Sequence, residues 1–339
     1  ALAALEEFDP DVITLDINMP EMDGITCLSR IMVTRPKPVV MVSSLTEEGA
    51  EATLQALSLG AVDFVHKPGG TISLSIERIN RELLAKVRAA SKAKVRRSLG
   101  LKGRLANDRT RLGARAAVRT PHPAGTLSRG RAGLVLVGVS TGGPGTLEEI
   151  LPRLPADFPW SVIVAQHMPG SFTGVFARRL NEGCRMRVVE AAQRMPLEPG
   201  TVYIAKGDAD IAISRGATGF VATPVPLGRD HLWHPSVQRM VTSALDAAPA
   251  DRLIGVQLTG MGDDGAEAMA TLRQRGGLTI AQDEETSVVF GMPNELIKRG
   301  GATVVLPSGA IAGQLIDWLC GAQTATVIQG GRPDARKIR

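Results

Sequence analysis

Ser140 lies in a glycine-rich turn that joins an apolar run to a helix-like segment. The stretch from Leu134 to Leu151 reads LVLVGVSTGGPGTLEEIL and contains a match to G-x-S-x-G. Such a turn lifts a serine hydroxyl out of a strand end, and the helix behind it offers N–H groups to an oxyanion. The same layout also cradles phosphates, although no lysine follows the glycines and Ser140 stands where G-x-G-x-x-G requires a glycine. The turn alone therefore predicts either a nucleophile or a phosphate-binding loop.

A serine nucleophile needs a base, and the chain has five histidines. We expect His66 and His122 to lie too far away, because one falls in the first half of the chain and the other in a charged segment. His231 and His234 precede a helix-like segment, whereas His167 ends the apolar run SVIVAQH. A histidine at a strand end is commonly a structural hydrogen-bonding residue. Parallel strands, however, present their carboxyl ends at one edge, so His167 and Ser140 are predicted to emerge together.

An orienting carboxylate is available in the stretch RLIGVQLTGMGDDGAEAM, which again runs strand, glycine turn and helix. Asp263 and Asp264 both sit in this turn. Acidic residues at a helix N-terminus often serve as caps, so one of the two can cap while the other orients His167. The order serine, histidine, aspartate differs from the α/β-hydrolases and from chymotrypsin and subtilisin, which indicates another fold.

Three polar residues near the start of the chain also end apolar runs. Asp16 follows DVITL, Ser43 follows VVMV, and Lys67 follows DFVH. A carboxylate, a hydroxyl and an ammonium group at neighbouring strand ends can accept and hold a phosphoryl group. The pattern predicts a phosphoryl site at this edge.

Residues 1–82 resemble the receiver domain of two-component response regulators in the motifs DVITLDINMPEMDG, VVMVSSLT and DFVHKP. The resemblance implies that Asp16 is the phosphoacceptor, Ser43 the switch hydroxyl and Lys67 the partner lysine. Receivers open with further elements and an acidic pair that binds Mg²⁺, and this chain begins after that point. We therefore expect Mg²⁺ to be needed for phosphorylation of the full-length receiver, and inefficient phosphorylation of Asp16 in the chain as given.

Residues 133–322 resemble the catalytic domain of the chemotaxis protein-glutamate methylesterases. The motifs that carry the resemblance are VGVSTGGPGTL, VIVAQHMP, FTGVFARRLN, LTGMGDDGAEAM and VVFGMPNE. The resemblance implies that Ser140 is the nucleophile, His167 the base and Asp264 the orienting acid. Asp263 falls at a variable position.

Other residues near this site are also implied by the resemblance. Thr141 and Met261 match positions whose backbone groups can form an oxyanion hole, and Arg179 matches an arginine near the substrate cleft.

Four positions depart from the family pattern. Trp233 and Gln238 stand where histidine and aspartate are frequent, and Lys206 and Asp210 stand where proline and histidine are frequent. The departures leave the three matched residues intact and affect the loops expected around the substrate.

The resemblance implies hydrolysis of glutamate methyl esters on chemoreceptors, together with deamidation of receptor glutamines. It implies no cofactor for hydrolysis, an upstream histidine kinase, a cytoplasmic location and no nucleic-acid partner. In the family, the unphosphorylated receiver packs over the esterase cleft.

An alternative function is that of a non-catalytic effector that binds a protein or nucleotide. A DNA-binding regulator is a third possibility, but a strand–helix series stands where a helix-turn-helix is needed.

The elements that would position these residues alternate between strand and helix in both halves of the chain. This alternation predicts an α/β fold: a partial receiver-type parallel domain, and a doubly wound, mostly parallel catalytic domain. The predicted domains are 1–82 (receiver), 83–132 (basic linker), 133–322 (catalytic) and 323–339 (loose basic tail).

The charge distribution supports a linker. Residues 86–131 hold 14 lysines and arginines and one acid, while the rest of the chain holds 25 basic and 33 acidic residues. No aromatic residue in this segment could stack on bases, so a solvated hinge is favoured over a nucleic-acid arm. Three well-separated cysteines predict buried reduced thiols. No apolar run approaches the roughly 20 residues that span a bilayer.

Overall fold

A computed structural model describes residues 2–44, 46–67, 72–94 and 132–320. Residues 95–131 of the predicted basic linker, including His122, and the predicted tail at 323–339 lie outside the described residues.

The N-terminal body is a three-stranded parallel sheet with strand order β1-β2-β3 and helices packed around it. Its elements are α1 (Leu2–Phe8), β1 (Ile13–Asp16), α2 (Gly24–Thr34), β2 (Val39–Ser43), α3 (Glu47–Leu59), β3 (Asp63–His66) and α4 (Ile72–Ala90).

Local sequence signals set the ends of these helices. The Asp23 side chain caps α2 by accepting from the Thr26 N–H at 2.8 Å, and Thr46 caps α3. Gly60 ends α3 in the left-handed region at φ 113°, a conformation that favours glycine. Helix α4 continues past residue 82, where the receiver was predicted to end, as far as Ala90.

The C-terminal body is built on a seven-stranded, fully parallel sheet with strand order β13-β12-β11-β4-β5-β8-β6. Its strands are β4 (Leu134–Val139), β5 (Ser161–Gln166), β6 (Arg187–Ala191), β7 (Met195–Pro196), β8 (Thr201–Ala205), β9 (Asp210–Arg215), β10 (Phe220–Val225), β11 (Leu253–Gln257), β12 (Leu278–Gln282) and β13 (Val304–Leu306). Its helices are α5 (Gly143–Ile150), α6 (Gly170–Gly183), α7 (Val237–Ala247), α8 (Ala266–Gln274), α9 (Met292–Lys298) and α10 (Ser308–Cys320), with short 3₁₀ turns at Leu151–Arg153 and Ala250–Arg252.

Helices cover both faces of this sheet, which confirms the predicted doubly wound α/β class. Every residue of the inner strands β4, β5, β8, β11 and β12 is buried. Helices α5, α6 and α10 pack on one face, and α7, α8 and α9 pack on the other. Strands buried on both faces read as continuous apolar runs, which is why the sequence located them.

The sequence interpretation did not identify several elements at the periphery. Strands β7, β10 and β9 form a small antiparallel sheet, and β6 is an edge strand that is exposed at Arg187. Helix α10 was also not identified. These strands are short, mixed in polarity or interrupted by Pro224, so they lack the apolar runs of the inner strands.

The two bodies contact each other through α3 and β3 on one side and α5 and α6 on the other. The ring of Phe64 stacks on that of Phe172, with centroids 4.6 Å apart and an interplanar angle of 21°. Leu54 and Leu147 belong to the same hydrophobic cluster as these rings. An apolar core therefore runs continuously from one body into the other.

The three cysteines are free thiols. Cys27 is buried as predicted, whereas Cys184 and Cys320 are only half-buried. Burial raises the pKa of Cys184 to about 11, which keeps it protonated and unreactive at neutral pH. Within the described part of the chain, no helix is long and apolar enough to cross a membrane.

Candidate functional site

Strand register brings Ser140 level with His167 at the carboxyl edge of the large sheet. Val139 pairs with Gln166 in the parallel β4–β5 ladder, and the His167 N–H continues it by donating to the Val139 carbonyl at 3.1 Å. On the other side, the Ser140 N–H donates to the Thr259 carbonyl at 3.0 Å. Ser140 therefore lies between β5 and β11, where the order of the sheet reverses and ligand crevices form.

The turn after Ser140 is shaped by glycines at close approaches. Gly142 has φ 77°, and a Cβ there would lie 2.5 Å from the Val288 side chain. A Cβ on Gly260 would lie 2.7 Å from the Cβ of Ser140. The Ser140 carbonyl accepts from the Gly143 N–H at 2.8 Å, which fixes the turn. These glycines remove side chains that would crowd the serine.

His167 and Asp264 form a buried hydrogen-bonded pair. His167 Nε2 lies 2.9 Å from Asp264 Oδ2, and the two side chains are 6% and 7% exposed. Because an ionised carboxylate only accepts hydrogen bonds, Nε2 carries the proton and Nδ1 of the neutral ring is basic. Nδ1 is buried and has no hydrogen-bond partner among the residues that the structure describes. The ring therefore has one free site for a proton.

Asp264 is held by the N-terminus of α7 as well as by His167. The N–H groups of Val237 and Gln238 donate to its carboxylate at 2.7 and 3.0 Å, and the Ser236 hydroxyl donates at 3.2 Å. Burial opposes ionisation of Asp264, but the hydrogen bond from His167, together with these N–H groups, holds its pKa below the usual range. Asp264 is therefore a charged acceptor facing the imidazole.

Asp263, by contrast, is an exposed residue. Its side chain is 66% exposed, and its nearest cation is Arg299 at 3.4 Å. Of the two aspartates that the sequence left open, the structure brings only Asp264 to His167.

Trp233 covers one face of the histidine ring. The two rings are nearly parallel, with centroids 5.8 Å apart and an interplanar angle of 12°. Trp233 also approaches Gly262, where an added Cβ would lie 3.2 Å from the indole Nε1. This departure from the family pattern therefore sits directly on the candidate site.

The residues predicted around the oxyanion and cleft face the N-terminal body. The Thr141 hydroxyl donates to Asp63 Oδ2 at 2.5 Å. Arg179 donates from Nε to Glu148 at 2.7 Å and from Nη2 to Ser58 at 2.6 Å. Thr141 is buried, whereas Met261 is half-buried in the turn after β11.

Asp63 is itself part of a buried ion pair. Lys86 Nζ on α4 lies 3.3 Å from Asp63 and 2.9 Å from Glu82. Burial opposes the ammonium charge, but the two carboxylates raise the pKa of Lys86 above its usual value. The carboxylate that meets Thr141 is therefore fixed to the helix that follows β3.

At the edge of the small sheet, the structure brings together Asp16 and Lys67, whose carboxylate and ammonium lie 2.6 Å apart. Burial opposes ionisation of Asp16, but the Lys67 hydrogen bond and the Asn18 N–H lower its pKa.

The Ser43 hydroxyl turns toward α3, 2.7 Å from Thr53 Oγ1 and 3.1 Å from the Gly49 carbonyl. In the described ranges there is no cluster of three His, Cys, Asp or Glu side chains that could hold a metal ion.

Two residues that contribute to the site were given no role in it from the sequence: Ser236 was not singled out, and Asp210 was named only as a departure from the family pattern. Ser236 precedes α7 and caps it by accepting from the Arg239 N–H, a signal that a serine before a helix does carry. Asp210 is fully buried behind the Ser236 backbone, and nothing in its sequence surroundings marks it as buried.

Comparison with protein-family models matches both bodies. The model described as CheB methylesterase matches residues 135–315, and the response regulator receiver domain model matches residues 1–77. These matches define a class in which a receiver is joined to an α/β methylesterase domain. The chain belongs to the CheB methylesterase family.

Individual relatives cover nearly the whole chain. Protein-glutamate methylesterase/protein-glutamine glutaminase 3 of Rhodospirillum rubrum is 68% identical over 94% of this chain and 86% of its own length. A protein of Rhodopseudomonas palustris, named protein-glutamate methylesterase/protein-glutamine glutaminase 2, is 51% identical over 94% of this chain and 88% of its own length. The crystal structure of the Thermotoga maritima CheB methylesterase catalytic domain is 36% identical, with a TM-score of 0.54, and covers 56% of this chain and 100% of that one.

Proposed function

We propose that this protein hydrolyses methyl esters of glutamate side chains on chemoreceptors, with Ser140 as nucleophile, His167 as base and Asp264 as orienting carboxylate. The observation that carries the proposal is the buried His167–Asp264 pair at 2.9 Å, with its basic Nδ1 unpartnered in the described chain and its strand in register with Ser140. The names of the relatives support the same substrate class.

In the proposed reaction, His167 Nδ1 takes the proton from Ser140 as its Oγ attacks the ester carbonyl. The imidazolium that forms is stabilised by Asp264, and it returns the proton to the methoxy group, which leaves as methanol. Water then attacks the acyl-enzyme, again with His167 as base, and releases the free glutamate. Backbone N–H groups near Thr141 and Met261 are proposed to hold the oxyanion.

Deamidation of receptor glutamines would use the same groups, because an amide differs only in losing ammonia in place of methanol. The paired names of the relatives support both activities. Ser140, His167 and the attacking water together supply every electron pair and proton that this acyl transfer needs, so we propose that hydrolysis requires no metal or organic cofactor.

We propose further that the receiver controls access to the esterase cleft. Three observations support this: the Asp63–Thr141 hydrogen bond beside Ser140, the contacts of Ser58 with the Arg179 and Glu148 side chains, and the stacked phenylalanine rings. Phosphorylation would weaken this docking and open the cleft.

Phosphorylation is proposed to occur on Asp16, with Lys67 holding a phosphoryl oxygen and Ser43 turning toward it. In a full-length receiver, Mg²⁺ would neutralise phosphoryl charge at this site, with Asp16 as one of its ligands. The proposed partners are the cytoplasmic domains of methyl-accepting chemoreceptors and an upstream histidine kinase, so the proposed location is the cytoplasm.

Methanol release from methylated receptor membranes tests the activity. Ser140→Ala should lower kcat on the order of 10⁶-fold, because loss of a triad nucleophile removes the covalent route. Release at the wild-type rate by Ser140→Ala would contradict the proposal. Receptor binding without methanol release by the wild-type protein would instead favour a non-catalytic effector.

A further inference from the structure

A second buried carboxylate lies outside the proposed triad, at the start of β9. The Asp210 side chain has no exposed surface. It accepts from the N–H groups of Ser236 and Gly228 at 2.8 and 2.9 Å, from His234 Nδ1 at 2.7 Å, and from Arg239 Nη1 at 3.1 Å. We call Asp210 and these four donors the Asp210 latch. Burial opposes ionisation, but the donors, His234 first among them, hold the pKa of Asp210 below its usual range.

The latch fixes a segment that has no regular structure of its own. Residues 226–236 connect β10 to α7, and Asp210 binds this segment at Gly228, His234 and Ser236. Arg239 reaches back from α7 and donates to the Pro226 carbonyl at 2.7 Å, which ties the start of the segment to its end. Without the carboxylate, these buried donors would lose their shared acceptor, and the segment would gain conformational freedom.

The first contact of this segment with the candidate site runs through Ser236. Its N–H donates to Asp210, while its hydroxyl donates to Asp264. The next two N–H groups, those of Val237 and Gln238, also donate to Asp264. The donors that orient Asp264 are therefore placed by the residue that Asp210 holds.

The second contact is Trp233, one residue before His234. Its indole stacks on the imidazole of His167 with centroids 5.8 Å apart. The same latched segment therefore reaches both members of the His167–Asp264 pair.

We propose that Asp210 is a positioning residue of the hydrolytic reaction: through residues 226–239 it orients Asp264 and packs Trp233 against His167. Asp210 does not contact the reacting atoms, and it acts on Asp264 and His167 through the segment that it holds. Its effect is preorganisation, since Asp264 and His167 must be held in place before the proton moves. This inference rests on the proposed function of Ser140, His167 and Asp264.

The test replaces Asp210 by asparagine in the full chain. The amide is isosteric, but it is uncharged and has one acceptor oxygen in place of two, so two of the four donors lose their acceptor and the other two keep only a weaker, neutral one. We expect kcat for methanol release to fall at least 10-fold with KM within twofold of wild type, because the change acts in the transition state. Asp246→Asn, an exposed carboxylate on α7, is the matched control and should behave as wild type.

The pH profile separates a positioning role from a purely structural one. If Asp210 positions Asp264, its replacement should leave the His167 imidazolium less stabilised, so the acidic limb of the kcat profile should move to lower pH in Asp210→Asn. A purely structural role would leave the pH profile unchanged. A variant with a lower Tm but unchanged kcat and pH profile overturns the inference.

Trp233 provides a second variant if Asp210→Asn does not fold, because its side chain is only half-buried. Trp233→Ala should lower kcat, and Trp233→Phe should restore most of it by keeping a ring over His167. Wild-type kcat and pH profile in Trp233→Ala would also overturn the inference.

Two other results would show that the proposed function itself is wrong. One is methanol release that persists in Ser140→Ala, and the other is no methanol release by the wild-type protein. In either case, the His167 imidazole titration followed by NMR still tests the inference, since Asp210→Asn should lower its midpoint and Asp246→Asn should not. An unchanged midpoint in Asp210→Asn overturns it.

Discussion

Asp263 and Asp264 are neighbours in one turn, yet their surroundings are opposite. Asp264 is buried and accepts from His167 and two helix N–H groups, whereas Asp263 is mostly exposed. The sequence predicted that one aspartate of the pair would orient the histidine, because an acid in this turn reaches the sheet edge. It could not select one from the residues alone, since the choice depends on where α7, which begins at Val237, 27 residues before Asp264, places its N-terminus.

Substitution of the two aspartates separates these roles. Asp264→Asn should lower kcat by about 10⁴-fold, because an amide can donate to His167 and favour the wrong tautomer. Asp263→Asn is the matched control and should retain wild-type kcat, since the Asp263 side chain is mostly exposed and pairs with Arg299 at the surface. Methanol release under saturating substrate measures both.

An equal loss in the two aspartate variants would contradict the assignment of Asp264. A loss in Asp263→Asn alone would transfer the orienting role to the exposed residue and contradict the geometry of the buried pair.

Among the elements, the inner strands were the most predictable. Their continuous apolar runs identified a parallel sheet, and parallel strands place Ser140 and His167 at one edge. The antiparallel β9–β10 pair was missed because Asp210 and Pro224 interrupt its apolar pattern. Asp210 owes its burial to donors from residues 228–239, a relationship that no local pattern encodes.

Helix α3 offers a test of receiver docking. Ser58 is hydrogen-bonded to Arg179 and Glu148 across the interface. Ser58→Lys places a bulky cation beside Arg179, so we expect methanol release by the unphosphorylated full chain to rise several-fold. Thr34→Lys, at an exposed position of α2, adds the same charge on a different helix and serves as the control.

Unchanged methanol release by Ser58→Lys, with a native fold verified by circular dichroism, would count against control by docking. A rise in both lysine variants would point to a general charge effect.

At the scale of the whole molecule, the residues predicted two bodies and the family resemblance implied that the receiver packs over the esterase cleft, but neither identified the side chains that meet. Phe64 lies on a strand of the first body and Phe172 on a helix of the second, and only the structure stacks their rings on each other. Such contacts depend on the surface shapes of two folded domains, so the apolar pattern of one domain does not predict which residues of the other it contacts.

The buried carboxylates predict how stability depends on pH. The folded state lowers the pKa of Asp264, so its ionised form stabilises the fold at pH values above its pKa in the unfolded chain, about 4. Each unit by which folding lowers this pKa adds about 1.4 kcal/mol to the free energy of unfolding. This stabilisation is lost as pH falls through the lowered folded pKa. The urea midpoint of the wild-type protein should therefore drop more between pH 5 and pH 3 than that of Asp264→Asn. Parallel pH profiles of the two proteins would contradict this.

Under the proposed control by docking, the receiver and the methylated receptor compete for the esterase surface at Thr141, which Asp63 contacts in this structure. If docking of the receiver weakens substrate binding by some factor, then binding of substrate must weaken docking by the same factor, because linked equilibria are reciprocal. A methylated receptor would then act on the enzyme in two ways: as the substrate, and as a ligand whose binding weakens docking of the inhibitory receiver. The density of methylated sites around each molecule would set its activity before any phosphate arrives.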